Sequence, residues 1–269
     1  MTADPSNRPD RLEVFAARLE RSAVLLDFDG TLSAIVARPE QAAIEPGARE
    51  ALSALVDLTA AVALVSGRRR KELGRLVDVR GIHIVGLYGR ETIETGAERT
   101  DEPRIASIVP LIESALEVVE GAWVERKGAG LAVHYRAVNH PDSARATLVA
   151  AIEPIAAAAG LEIVHGKRVL DLVPIGSTQK GEAVRELVAA HRAEAVFYAG
   201  DDGADVPVFD ALDALEATGT FTVKVAVRGP GTPAALLLAA DLVVDQPSGL
   251  VRLLERVVES SQRGVGGRT

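Results

Sequence analysis

Between Val24 and Leu32 the chain reads VLLDFDGTL, and this stretch constrains the fold more than any other. Val24, Leu25 and Leu26 form a short continuous apolar run, the pattern of a strand buried on both faces of a parallel sheet. Asp27 and Asp29 follow where that strand ends. Open α/β sheets place their ligand crevice at the carboxyl ends of the strands. Residues two apart on extended chain point the same way, so both acids can reach one ligand. Gly30 allows a sharp turn there. At average residue usage, D-x-D-G-T arises by chance in roughly 0.2% of chains this long, so an ordinary Asp-rich turn is the weaker explanation. Two acids this close repel, and a divalent cation is the simplest compensation. Oxygen ligands of this kind suit Mg²⁺.

The rest of the chain supplies a setting for such a strand. Segments reading as strands alternate with segments reading as helices, which predicts a parallel sheet with crossover helices. A helix is expected across 46–59, with Pro46 in its first turn. A strand follows in AVALVSGR (61–68), then a helix near 68–77 and a strand entering a glycine-rich loop in IHIVGLYGRE (82–91). AVFYAGDD (195–202) is a further strand ending in acids. FTVKVAV and ADLVVDQP give two more, and VRLLERVVES (251–260) closes as an amphipathic helix. From about 99 to 175 the pattern changes to helix, hairpin, helix and a short strand pair. The predicted fold is therefore α/β, a doubly wound, mostly parallel, Rossmann-like core, with a smaller α+β cap domain inserted into it. The core comprises 11–98 and 176–258 and the cap 99–175, with flexible tails at 1–10 and 259–269.

Composition narrows the partners. The 38 acidic residues outnumber the 30 Lys and Arg, for a net charge of -8, which argues against general nucleic-acid binding. The chain has no cysteine, which excludes disulfides, thiolate metal sites and cysteine nucleophiles. MTADPSNRPD lacks the apolar core of a signal peptide, and AALLLAADLVV is interrupted by Asp241, so no membrane association and a cytoplasmic location are expected. With 3% aromatic residues, the core is expected to be Ala, Val, Leu and Ile.

In a doubly wound sheet the strand ends gather reactive groups. They are Asp27 and Asp29; Ser66, Gly67 and Arg68; and Asp201, Asp202 and Asp205 of GDDGAD. Lys180 stands at the expected start of the helix before that last strand. Singly, each has an ordinary reading as a cap, turn or surface charge. Their order and common placement favour one site.

DFDGT, then VSGR, then a lone Lys, then GDD-x-x-D resembles the haloacid dehalogenase superfamily of phosphatases. The resemblance implies that Asp27 is a nucleophile towards phosphorus and Asp29 a general acid/base. Ser66 and Lys180 would hold phosphoryl oxygens, and the late acids would complete a Mg²⁺ site with Asp27 and Asp29. GLYGRE (86–91), VERKGAGLAVHYR (124–136), VLDLVPIGSTQKG (169–181) and YAGDDGADVPVFDAL (198–212) are similar to trehalose-6-phosphate phosphatases over most of 22–256. That family's late motif usually reads GDD-x-T-D-E-D; here Ala204, Val206 and Pro207 depart from it, and Asp171 stands where Glu is more usual.

In the hairpin, strand alternation puts Val124, Leu131, Val133 and Tyr135 on one face and Glu125, Lys127, His134 and Arg136 on the other. The polar face would be free to meet the catalytic crevice. The resemblance implies that it grips sugar hydroxyls together with Asp171, while Gly67, Arg68 and Glu91, and more weakly Asn139, contact substrate. It further implies a small sugar phosphate as substrate and functional pairing with a trehalose-6-phosphate synthase. Rival readings are a phosphatase for sucrose, mannosyl-phosphoglycerate or hexose phosphate, and a non-catalytic phosphosugar-binding regulator. Neither a G-x-S-x-G elbow nor a nucleotide-binding glycine motif occurs.

Overall fold

The computed structural model describes residues 10–36, 38–91, 103–127, 130–175 and 180–265. The chain divides into two compact units, Met1–Ile93 with Gln179–Thr269, and Glu94–Thr178. The expected boundaries near 99 and 176, and the middle of the GAG turn, lie outside the described residues. So do the tips of the expected tails.

The first unit is built on a six-stranded parallel sheet. Its strands are β1 (Ser22–Leu26), β2 (Ala61–Val65), β3 (His83–Val85), β8 (Ala195–Gly200), β9 (Phe221–Arg228) and β10 (Leu242–Asp245), in the order β10-β9-β8-β1-β2-β3. β1 is central, pairing Val24 with Val62 on one side and Phe197 on the other. The order reverses around it, which is the switch point where such sheets bind ligands.

All five β1 residues are buried because both faces are covered. Val24 and Leu26 pack in one core with α1 (Arg11–Ala16), α2 (Ala48–Leu58), α3 (Arg70–Val77) and α9 (Gln246–Val265). Ala23 and Leu25 pack in a second with α6 (Lys180–Ala190), α7 (Val206–Ala217) and α8 (Ala234–Ala239). The few aromatic residues concentrate here, against the expectation of a purely aliphatic core. Phe15, Phe28, Phe197, Tyr198 and Phe209 are at most 1% exposed, since large side chains bury the most apolar area per residue. Helix α9 also runs to Val265, beyond the expected end at 260, because Ser, Gln and Arg continue a helix without needing an apolar stripe.

The second unit has an antiparallel sheet, β4 (Trp123–Lys127), β5 (Gly130–His134), β7 (Val169–Pro174) and β6 (Leu161–Gly166), in that order. α4 (Pro103–Leu116) and α5 (Pro141–Ala158) cover one face, packing Ile112 and Leu148 on Leu131, Val133 and Leu172. α4 stops at Leu116, short of the Gly121 its pattern reaches, in i+3 turns before the positive φ of Gly121. No described helix is long and apolar enough to cross a membrane.

Ile112 is fully buried in this second core. Ile112→Ala should therefore destabilise the protein by about 2–5 kcal/mol, measured by denaturant unfolding.

Candidate active site

Three adjacent strand ends build the site. Asp27 follows β1 and donates its backbone N–H to Ala199 O of β8 at 2.9 Å, so β1 is still hydrogen-bonded where the acids begin. Gly30 then turns the chain at φ +85. A Cβ there would stand 2.0 Å from Asp201 Oδ2, so glycine serves both the turn and the close approach of the late acid.

Lys180 joins these elements. It opens α6, is 3% exposed, and donates to Asp27 Oδ1 at 2.7 Å and Asp205 Oδ1 at 2.8 Å. Burial opposes its charge, but Asp205 and Asp27 outweigh that and raise its pKa well above the usual lysine value. Asp205 is fully buried, and each of its oxygens is engaged twice. Oδ1 accepts from Lys180 and from Tyr198 Oη at 2.7 Å; Oδ2 accepts from the backbone N–H of Asp201 and of Asp202 at 2.8 and 3.0 Å. Burial would raise its pKa, but the Lys180 charge and the donated hydrogen bonds lower it. Asp202 in turn accepts from Ala204 N at 2.9 Å, closing a capping box.

Asp27, Asp201 and Asp205 bring ligand oxygens within 4.8 Å of one another, all buried, in an arrangement that could hold a metal ion. Burial foremost pushes the Asp27 pKa up to about 8, Lys180 opposing and Asp205 reinforcing. A carboxylate so reluctant to ionise fits a neighbouring cation, and the all-oxygen donor set fits a hard one. Asp205 already fills the roughly four acceptor positions of a carboxylate with protein donors.

The β2 end carries Ser66, 2% exposed, whose Oγ accepts from Arg68 N at 3.3 Å. The end of β3 and the 86–91 loop brace this turn: Ser66 N donates to Val85 O, Tyr88 N to Ser66 O, and Leu87 N to Arg68 O, each at 3.0 Å. A Cβ on Gly67 would meet the Tyr88 ring at 2.5 Å. Arg68 reaches across to Asp29, Nε to Oδ2 at 2.6 Å. Glu91 accepts from Arg70 N at 2.7 Å, at the start of α3.

The hairpin residues lie in the second unit. Val124, Leu131, Val133 and Tyr135 pack in its core, while Glu125, Lys127 and His134 occupy the alternate positions. His134 Nε2 lies 2.8 Å from Glu125 Oε2, and its ring stacks on Trp123 with centroids 4.2 Å apart. Lys127 pairs with buried Asp171 at 3.0 Å. Arg136 lies past β5 and donates to Lys167 O at 3.1 Å; Asn139 is exposed.

Tyr198, Tyr88 and Glu72, which pairs with Arg68, were not legible as site residues. Tyr198 carries the one available signal, two residues before GDD on a strand. Alternation there predicts burial, and a buried hydroxyl needs a partner.

Residues 25–235 match the trehalose-phosphatase family model. The chain belongs to the trehalose-phosphatase family. It is 31% identical over 256 residues to the trehalose-phosphate phosphatase of Mycobacterium avium, covering 91% of this chain and 64% of that protein. It is 32% identical to a bifunctional trehalose-6-phosphate synthase/phosphatase of Thermoproteus tenax, covering 92% of this chain and 33% of that one. An uncharacterized glycosyl hydrolase of Mycobacterium tuberculosis is 37% identical over 77% of this chain, which spans 17% of its length. The chain thus spans less than two thirds of each of these relatives. The C-terminal domain of Candida albicans trehalose-6-phosphate phosphatase shares the fold, with a TM-score of 0.78 at 20% identity over 93% of this chain and 98% of that domain.

An acid whose pKa is raised by folding holds its proton more tightly folded than unfolded. Ionisation of Asp27 therefore erodes stability as pH rises from about 4, its unfolded value, towards about 8. In cation-free protein, Asp27→Asn should remove that part of the pH dependence. In the wild type, a divalent cation should raise the melting temperature more at pH 8 than at pH 5, where protons compete for the site. Thermal melts across this range check both outcomes.

Proposed function

We propose that this chain is a Mg²⁺-dependent phosphatase that hydrolyses trehalose 6-phosphate to trehalose and phosphate through an aspartyl-phosphate. The observation that carries the reading is the buried Lys180–Asp27 pair at the switch point, beside Asp201, in a member of the trehalose-phosphatase family.

A carboxylate approaching a phosphate dianion meets repulsion of roughly 4 kcal/mol per charge pair at 4 Å and an effective dielectric near 20. Lys180 offsets part of it. Its ammonium has three N–H donors; two are engaged by Asp27 and Asp205, and the third can meet a phosphoryl oxygen beside Ser66. Asp27 and Asp201 would hold Mg²⁺, with Asp202 alongside, and when bound the ion neutralises charge on the phosphoryl group. Asp27 attacks phosphorus and the bond to the sugar oxygen breaks, with Asp29 giving that oxygen its proton. Asp29 then takes a proton from the water that attacks the aspartyl-phosphate, releasing phosphate and restoring Asp27. Asp205 acts as a brace for Lys180 and for the Asp201–Asp202 turn. The face bearing Glu125, Lys127, His134 and Asp171, with Arg136 beyond its edge, takes the disaccharide. A synthase that makes trehalose 6-phosphate would supply the substrate.

Phosphate release from a panel of sugar phosphates, with Mg²⁺ and with excess chelator, tests the reading. Trehalose 6-phosphate should have a higher kcat/KM than glucose 6-phosphate, since the second ring adds binding energy remote from the reacting bond. Chelation should stop turnover. Asp27→Asn should abolish it in a folded protein, because an amide cannot serve as the nucleophile. Turnover in chelator, or in Asp27→Asn, would exclude the mechanism. Equal kcat/KM for the two sugars would indicate a general hexose phosphatase.

Glu125→Ala tests the sugar-binding face. Losing a hydrogen bond to a charged group costs about 1.5–3 kcal/mol, so trehalose 6-phosphate hydrolysis should fall roughly 10- to 100-fold. Hydrolysis of para-nitrophenyl phosphate, which has no sugar, should change little.

A further inference from the structure

Arg68 is 5% exposed and its guanidinium is held on every side. Nε donates to Asp29 Oδ2 at 2.6 Å and Nη2 to Asp29 Oδ1 at 2.9 Å, a two-point fork. Nη1 and Nη2 both donate to Pro39 O at 3.1 Å. Nη1 also pairs with Glu72 in the first turn of α3. The Phe28 ring centroid lies 5.4 Å from Cζ. A guanidinium has five N–H donors. These five contacts use all of them, so this arrangement leaves none for a phosphoryl or sugar oxygen.

The partners are of two kinds. Pro39 O, Glu72 and the Phe28 ring hold Arg68 independently of Asp29. Asp29 alone is both held by the fork and needed elsewhere, because an acid/base must reach first the leaving oxygen and then water. A bidentate fork sets the plane of a carboxylate as well as its position, which a lysine cannot do. If Asp29 turned out of the fork, Glu72 and Pro39 would still accept from Arg68, so its buried charge would not be stranded.

We infer that Arg68 is a positioning residue for Asp29: it sets the carboxylate's orientation and keeps its own place when Asp29 departs. The inference rests on the reading of Asp29 as the acid/base.

Two small phosphate esters of unlike leaving group test it. Glycerol 3-phosphate loses an alkoxide that needs a proton, whereas para-nitrophenyl phosphate loses a phenolate that does not. kcat/KM reports the steps through loss of the leaving group. Arg68→Gln should lower it about 10- to 100-fold for glycerol 3-phosphate and leave it within about threefold of wild type for para-nitrophenyl phosphate. Arg68→Lys keeps the charge without the fork and should show the same selective loss in smaller degree, which also covers the case of an unfolded Gln variant. Equal losses on both esters, a rise in KM alone, or full recovery in Arg68→Lys would overturn the role of Arg68 and leave the phosphatase reading intact. A wild-type chain that hydrolyses neither these esters nor trehalose 6-phosphate would overturn both.

Discussion

One buried ammonium, that of Lys180, governs the electrostatics of the strand ends. Asp27, Asp201 and Asp205 crowd together, all three buried, and desolvation alone would drive Asp27 and Asp205 towards their neutral forms. Lys180 divides them into two kinds. Asp205 receives the ammonium, a tyrosine hydroxyl and two backbone N–H groups, so its charge is fully compensated. Asp27 receives the ammonium but keeps a raised pKa. The compensated acid is committed to structure, and the under-compensated one keeps a lone pair and a reason to attract a cation.

The geometry that makes this division depends on the sheet. β1 brings Asp27 beside β8, whose end carries Asp201, while α6 delivers Lys180 from the other side of the chain's long excursion. Close approach is bought with glycine at position 30, against Asp201, and at position 200, where a Cβ would stand 2.3 Å from Asp205 Cγ. On the β2 side the compensation is backbone strain. Leu87 and Tyr88 are both left-handed, with φ of 49 and 58, which ordinary residues adopt at a cost. Their N–H groups donate to Arg68 O and Ser66 O. The strain thus lies in the loop that fixes the turn between Ser66 and Arg68, as stored strain does elsewhere at functional sites.

Much of this was legible in the sequence because it rests on local rules. A continuous apolar run ending in D-x-D-G-T reports a buried strand and its turn, and strict alternation reports which hairpin side chains share a face. Val124 and Val133 do pack inward, while Glu125 and His134 occupy the opposite positions. What stayed hidden depends on pairing between distant segments. Tyr198 reads as strand core, and only the return of the chain after GDD places Asp205 under its hydroxyl. Glu72 reads as a first-turn acid of a helix, a common place for one. Arg68 is implied as a substrate contact by the family resemblance, and its pairing with Asp29, Pro39 and Glu72 is visible only in the fold.

Counting donors separates the two cations of this unit. Arg68 offers five N–H groups and spends all five on Asp29, Pro39 and Glu72. Lys180 offers three and spends two, on Asp27 and Asp205. A saturated cation can orient a neighbour but has no N–H left to donate to an incoming anion. A cation with one donor to spare is attracted to that anion without surrendering the contacts that position it. Both residue types bind phosphate elsewhere, so neither identity nor charge separates the roles here. The separation comes from how completely the fold has already satisfied each side chain, and on the proposed reading Lys180 is the group that meets a phosphoryl oxygen.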